Sequence, residues 1–185
     1  MTLCCLNGEI GPVETARISP LDRGFLFGDG VYEVLAHVEG VTRAKSLHRA
    51  RLSESLNRIQ LARAVSVEAI FADLDRLLAA IGLVDCKLYI QVTRGAATER
   101  DHRFPTEIQP TVFLMATGWT PVVLGPQSAL IAPDIRWQWN AIKSTSLLAN
   151  VLLMQQASEA GAVDTILHRD GWLTEASTSN VFVLN

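Results

Sequence analysis

Lysine is scarce in this chain. Of sixteen basic residues only three are lysines, Lys45, Lys87 and Lys143. Lys143 follows Ile142 and precedes Ser144-Thr145-Ser146, a run of short polar residues that opens an apolar stretch. The spacing predicts a helix from about Ser146 to Ala160, closed by Gly161, with Lys143 at its threshold. The positive end of a helix disfavours an ammonium, and Ile142, Leu147 and Leu148 would desolvate it. Both effects push the amine towards its neutral, nucleophilic form. A neutral lysine is what Schiff-base chemistry with an aldehyde requires. Position alone also describes an ordinary solvated lysine, which is how most lysines are found.

Four other places carry residue types of interest. Glu175 precedes A-S-T-S-N, short polar side chains that can hold a loop by local hydrogen bonds. A carboxylate there could keep a pyridine nitrogen protonated and make the ring an electron sink; it could equally be a plain strand-end acid. Arg100, Asp101, His102 and Arg103 crowd one loop. An arginine grips a carboxylate through two parallel hydrogen bonds and a histidine can add a third donor, although such a loop is also an ordinary solvated one. Tyr32, one of two tyrosines, follows G-D-G-V and could direct its hydroxyl into a cleft or sit half-buried in a strand. Arg51, in H-R-A-R-L, lies on an expected helix where a phosphate could meet it, or else on that helix's solvated face. No nucleotide-binding glycine fingerprint, nucleophile elbow or metal-ligand spacing of histidines occurs.

The elements that must position these residues read as follows. Thr2 to Leu6 and Gly11 to Ile18 form strands about an Asn7-Gly8 turn. Ser19 to Gly30, with three glycines and a proline in twelve positions, is a packed loop. Val31 to Val38 is a strand that turns at Glu39-Gly40. Ser46 caps a helix from Leu47 to about Leu61, and Ser66 caps another that ends at Gly82. Lys87 to Thr93 and Thr111 to Thr117 are strands flanking the polar loop Arg94 to Pro105. Further strands are expected at Ala129 to Ala132, in a hairpin of Thr165 to Arg169 and Trp172 to Thr174 about Asp170-Gly171, and at Val181 to Leu184. The domain boundaries this implies are 1–118, a linker at 119–125, and 126–185.

Composition narrows the class. At 185 residues the chain can bury roughly 70% of its unfolded surface. Hydrophobic content of 49%, charged content of 19% and a net charge of −3 describe an ordinary globular protein, with no basic block for nucleic acid. Three cysteines, two of them adjacent, suit neither a disulfide framework nor zinc. No secretory signal opens the chain and no stretch of ~18 apolar residues crosses a membrane, so a cytoplasmic location is expected.

In order along the chain, D-R-G-F-L-F-G-D-G-V-Y-E (Asp22 to Glu33), H-R-A-R-L (His48 to Leu52), I-K-S (Ile142 to Ser144) and L-T-E-A-S-T-S-N-V-F (Leu173 to Phe182) strongly resemble the fold-type IV pyridoxal-phosphate enzymes. That family includes branched-chain aminotransferases, D-amino-acid aminotransferases and aminodeoxychorismate lyase. The resemblance implies an α+β, two-domain fold with a small α/β N-terminal domain and a larger β-rich second domain. It implies that Lys143 bonds pyridoxal 5′-phosphate and then shuttles the substrate proton, that Glu175 faces the pyridine nitrogen and that Arg51 meets the phosphate. The R-D-H loop is similar to the R-x-H element of D-amino-acid aminotransferases. There Arg100 and His102 would reach over from a partner subunit and join Tyr32 on the substrate carboxylate. The expected reaction is therefore ping-pong transamination between a D-amino acid and a 2-oxo acid, in a homodimer. A branched-chain L-amino-acid aminotransferase and aminodeoxychorismate lyase are the same-family alternatives, and a catalytically inactive fragment is the different-class one. Members of the family continue past Asn185, so the second domain is expected to be incomplete here. Ala176 stands where the family often has glycine.

Overall fold

Alternation of apolar and polar residues dictates the first sheet. In the strand Cys86–Thr93, residues Cys86, Leu88, Ile90 and Val92 are buried on one face, while Lys87, Tyr89, Gln91 and Thr93 take the other. The computed structural model describes residues 2–120 and 125–184. Among them the strands of this unit are β1 (Leu3–Leu6), β2 (Glu9–Pro12), β3 (Gly30–Val38), β4 (Val41–Thr42), β5 (Cys86–Thr93) and β6 (Thr111–Gly118). They form one antiparallel sheet in the order β2-β1-β6-β5-β3-β4. Asn7 and Gly8 both adopt positive φ in the β1–β2 turn, as expected.

Three helices serve this sheet. Helix α1 spans Arg23–Phe27, α2 Lys45–Arg58 and α3 Val67–Ile81. Leu52 and Leu56 of α2 and Ile70, Phe71, Leu74 and Leu77 of α3 close over Val31, Leu35, Leu88, Ile90, Val92 and Leu114. Each such side chain contributes about 1.5–3 kcal/mol through burial. Helix α3 has the ends its sequence announces: the Ser66 hydroxyl accepts from the Ala69 N–H at 3.2 Å, and Gly82 caps it at φ +66°. The three cysteines are free and buried, and burial raises each thiol above its ordinary pKa, which leaves them inert.

Chain contacts divide the protein into two units, Met1–Pro121 with Ala141–Ser146, and Val122–Asn140 with Leu147–Asn185. The expected linker 119–125 falls partly on 121–124, which lie outside the described residues. Ala141–Ser146 groups with the first unit, not with the rest of 126–185. The second unit holds β7 (Ala129–Pro133), α4 (Leu148–Glu159), β8 (Asp164–Arg169) and β9 (Trp172–Ala176). Strand β8 pairs parallel to β7 and antiparallel to β9. Among the described residues no helix is long and apolar enough to cross a membrane.

Several expectations need correction. Strand β2 stops at Pro12 and a 3-10 turn occupies Val13–Thr15, because proline has no N–H to extend the ladder. The loop at 19–30 contains α1, whose first turn Asp22 caps by accepting from the Gly24 N–H at 2.8 Å. Helix α2 starts at Lys45 behind Ala44, which sits at φ +48°, and Ser46 caps nothing. Residues 181–184 form no strand, since no neighbouring strand among the described residues supplies hydrogen-bond partners.

Helix α1 lies tight against β5. A Cβ on Gly24 would stand 2.2 Å from Thr93 Cγ2. Gly24→Ala is expected to destabilise the protein by roughly 1–3 kcal/mol, read as a lower urea midpoint.

Candidate active site

Strand β3 has a half-open edge. Along one side it pairs with β5 from Gly30 to His37, but on the other β4 reaches only His37 and Val38. At its start, beside Gly30–Tyr32, that second edge is taken by Ile142–Thr145. The Tyr32 N–H donates to the Lys143 carbonyl at 2.9 Å and the Thr145 N–H donates to the Gly30 carbonyl at 3.0 Å. Ile142 is buried in the core, and the Lys143 N–H reaches the Ser55 hydroxyl of α2 at 3.4 Å. Lys143 is thus fixed by its main chain before its side chain does anything.

The lysine Nζ donates to the Tyr32 hydroxyl at 3.3 Å and stands 4.4 Å from the centre of that ring. Among the described residues it enters no ion pair with a carboxylate. Tyr32 in turn begins a row on the sheet face away from α2 and α3. Its ring centre is 6.0 Å from that of Tyr89, which is 6.5 Å from Phe113.

The helix expected from Ser146 begins only at Leu148, with Leu147 at its N-cap. Thr145 Oγ1 is spent on the Gly28 carbonyl at 3.1 Å and Ser144 Oγ on the Ser146 N–H at 3.0 Å. These bonds hold 144–146 extended along β3, so the residues that were to open the helix belong to the sheet edge. The helix-terminus argument for a neutral lysine therefore does not apply.

Arg51 lies on α2 four residues before Ser55, hence one turn along the same helix face. Its Nε and Nη2 each donate at 2.6 Å to the two oxygens of Glu33, and His48 Nδ1 meets Glu33 Oε2 at 2.7 Å. The Glu33 side chain is fully buried while that of Arg51 is half exposed. Alternation along β3 sends Tyr32 and Glu33 to opposite faces, one to the lysine and one to the arginine.

Arg100 and His102 come together on one aromatic ring. The Arg100 guanidinium lies 4.8 Å from the centre of Phe27, and the His102 ring lies 4.9 Å from it. Both are exposed, and among the described residues neither hydrogen-bonds Tyr32. Sequence reasoning missed the groups beneath them: Arg23, Asp29 and Arg94. Arg23 and Arg94 are both buried and both donate to Asp29 Oδ2 at 2.8 Å. Burial pushes the Asp29 carboxyl up, but hydrogen bonds and charge from Arg94 and Arg23 outweigh it and hold it below the usual range. Arg23 and Asp29 are charges inside the otherwise glycine-rich and aromatic D-R-G-F-L-F-G-D-G, but nothing in that stretch told that they would be buried, and nothing marked Arg94.

In the second unit Glu175 faces Leu167 across the β8–β9 pair, and one of its oxygens accepts from Arg136 Nη1. Arg136 is oriented by the buried carboxylate of Asp134, at 3.0 Å from both Nε and Nη2. Thr174 also donates to Asp134, at 2.9 Å. The Ser/Thr run after Glu175 does hold a loop: the Ser177 and Thr178 hydroxyls donate to Asp164. Ala176 ends β9 without a positive φ, so the absence of glycine there costs no strain.

Two predictions follow from these carboxylates. Burial alone would raise Asp134, but hydrogen bonds from Arg136 and Thr174 lower it from 3.8 to about 2. A carboxyl depressed on folding stabilises fully above its unfolded pKa and loses that stabilisation as pH falls through the folded value. The melting-temperature gap between the wild type and Asp134→Asn should therefore stay constant down to about pH 5 and close towards pH 2. Glu33→Gln should lower stability by about 1–3 kcal/mol, because the half-exposed Arg51 can turn to water but the buried amide keeps fewer partners. Urea unfolding measures it.

Comparison with known proteins places this architecture. The D-alanine aminotransferase of Staphylococcus epidermidis is 36% identical over 188 residues, covering 100% of this chain and 66% of the relative. The chain thus spans just under two thirds of that protein's length. The crystal structure of 4-amino-4-deoxychorismate lyase from Pseudomonas aeruginosa is 28% identical with a TM-score of 0.76, over 96% of this chain and 66% of the other. The branched-chain amino acid aminotransferase of Escherichia coli shares the fold at 17% identity, with a TM-score of 0.82 over 95% of this chain and 61% of the other. The α+β fold is that of these fold-type IV enzymes. The family model described as amino-transferase class IV matches residues 30–185, and the chain belongs to that family.

Proposed function

We propose that the protein carrying this chain transfers an amino group between D-amino acids and 2-oxo acids, using pyridoxal 5′-phosphate bonded to Lys143. The observation that carries this reading is the Lys143 amine. It is fixed at the edge of β3 and bonded to a tyrosine hydroxyl, and among the described residues it pairs with no carboxylate. The donor set suits the cofactor. In the first unit Lys143 would supply the amine and Arg51, paired with Glu33, a cation for the phosphate; in the second, Glu175 has an oxygen that accepts from nothing among the described residues.

Pyridoxal phosphate, when bound, supplies an aldehyde for the amine and a ring that withdraws electrons from the substrate Cα. The chain's own residues do the rest. Glu175 holds a proton on the ring nitrogen. Lys143 Nζ would be the base that takes the proton from the substrate Cα. Tyr32, Arg100 and His102 hold the substrate carboxylate on one side, so only one enantiomer directs its Cα–H at Lys143, and stereochemistry follows from orientation. Arg100 and His102 stand on Phe27 and are exposed, and this reading has them donate to a second protomer in a homodimer. The free, buried thiols suit a reducing, cytoplasmic setting. The D-amino-acid reading is supported by the R-D-H loop and by the 36% identity to a D-alanine aminotransferase.

The test is a substrate comparison on the full-length protein. With 2-oxoglutarate as acceptor, D-alanine should be consumed and L-leucine should not; turnover of L-leucine alone would overturn the assignment and favour a branched-chain enzyme. Lys143→Ala should lower turnover by more than about a hundredfold and abolish the visible absorbance gained on adding pyridoxal phosphate. Light scattering should report a dimer.

A further inference from the structure

We infer that Arg23 and Phe27, on the short helix α1, are positioning residues that hold the R-D-H loop and aim Arg100 and His102. The inference rests on reading those two side chains as the donors to the substrate carboxylate.

The hydrogen bonds beneath the loop carry the argument. Arg23 and Arg94 are two buried guanidiniums that share one carboxylate, Asp29. A buried guanidinium is costly unless its remaining N–H donors find acceptors as well. For Arg23 the loop supplies them. Arg23 Nη1 donates to the carbonyls of Asp101 and Arg103, and its Nη2 donates to that of His102 at 3.2 Å. Arg94 donates to the Ile59 carbonyl at 2.7 Å and is covered by the Phe104 ring, whose centre lies 3.7 Å from its guanidinium carbon. Three consecutive carbonyls turned to one guanidinium leave the backbone of 101–103 a single arrangement.

The side chains then sort themselves by alternation. Asp101 and Arg103 bond each other, Nε to Oδ2 at 2.8 Å, which takes both out of play. Arg100 and His102 come to rest on Phe27, one at 4.8 Å and the other at 4.9 Å. An aromatic face attracts a cation and orients a neighbouring ring without consuming their N–H donors. Arg100 and His102 therefore stay free to bond a carboxylate while being aimed. Arg23 sets the main chain and Phe27 the side chains, with the Arg23 guanidinium itself 4.9 Å from the centre of that ring, and one turn of helix, capped by Asp22, carries both.

The two roles separate experimentally in the full-length protein. Arg23→Met should raise hydrogen exchange of the amides of 99–104 by about tenfold or more, with β5 amides as the unchanged reference. It should raise KM for the D-amino acid by about tenfold while kcat changes less. Phe27→Leu should leave loop exchange unchanged but raise KM in the same way, and Phe27→Tyr, which keeps the ring face, should restore it. Unchanged loop exchange in Arg23→Met overturns the anchor, and equal KM in Phe27→Leu and Phe27→Tyr overturns the aiming role. If Arg23→Met does not fold, Arg23→Lys keeps the charge without the fork and decides the exchange test in its place. If Arg100→Ala and His102→Ala leave KM unchanged, it is the carboxylate reading that fails, and exchange alone then decides the anchor.

Discussion

Two main-chain hydrogen bonds govern the chemistry available to this chain: Tyr32 N–H to the Lys143 carbonyl and Thr145 N–H to the Gly30 carbonyl. Strand β4 is too short to cover β3, and the uncovered edge is a row of polar groups that must find partners. Ile142–Thr145 supplies them. Everything specific about Lys143 descends from that pairing: its place beside the Tyr32 hydroxyl, its contact with Ser55 on α2, and through α2 its neighbourhood with Arg51. Side-chain bonds refine the position, but edge pairing creates it.

The same strand divides labour by parity. Tyr32 looks to the face that carries Tyr89 and Phe113, and Glu33 looks to the helices, where it fixes Arg51 and His48. A slip of one residue in the β3–β5 register would exchange the two faces. Eight consecutive pairs between β3 and β5, from Gly30 with Thr93 to His37 with Cys86, make such a slip costly. Register in the sheet is therefore also register in the site.

What the sequence disclosed depended on the range of the forces involved. Helix α3 was legible to the residue because its determinants are local: a serine that accepts from an N–H three residues on, an apolar stripe, a glycine at positive φ. The strands β3, β5 and β6 were legible because alternation is local too. Helix α1 was hidden because two glycines interrupt D-R-G-F-L-F-G, and it is Thr93, distant in sequence, that shows why Gly24 must lack a side chain. The start of α4 was misplaced because Thr145 is claimed by glycines more than a hundred positions away. The buried Arg23–Asp29–Arg94 cluster escaped for the same reason, since no local pattern distinguishes an arginine that will be sealed under a loop from one in water. The candidate residues themselves were found from motif order, while their partners, Glu33 for Arg51, Phe27 for Arg100 and His102, and Arg136 for Glu175, required the fold.

The chain passes from the first unit to the second, returns for Ala141–Ser146, and leaves again. The first unit is thus not a contiguous piece of sequence. A segment ending at residue 121 would keep the six-stranded sheet and its helices, yet it would lack the six residues that seal β3. The N–H of Tyr32 and the carbonyl of Gly30 would then face outward as an adhesive margin, open to any extended chain that came by. In this architecture Lys143 doubles as a plug, and genetic separation of the two units removes that lysine and exposes a sticky seam in one stroke.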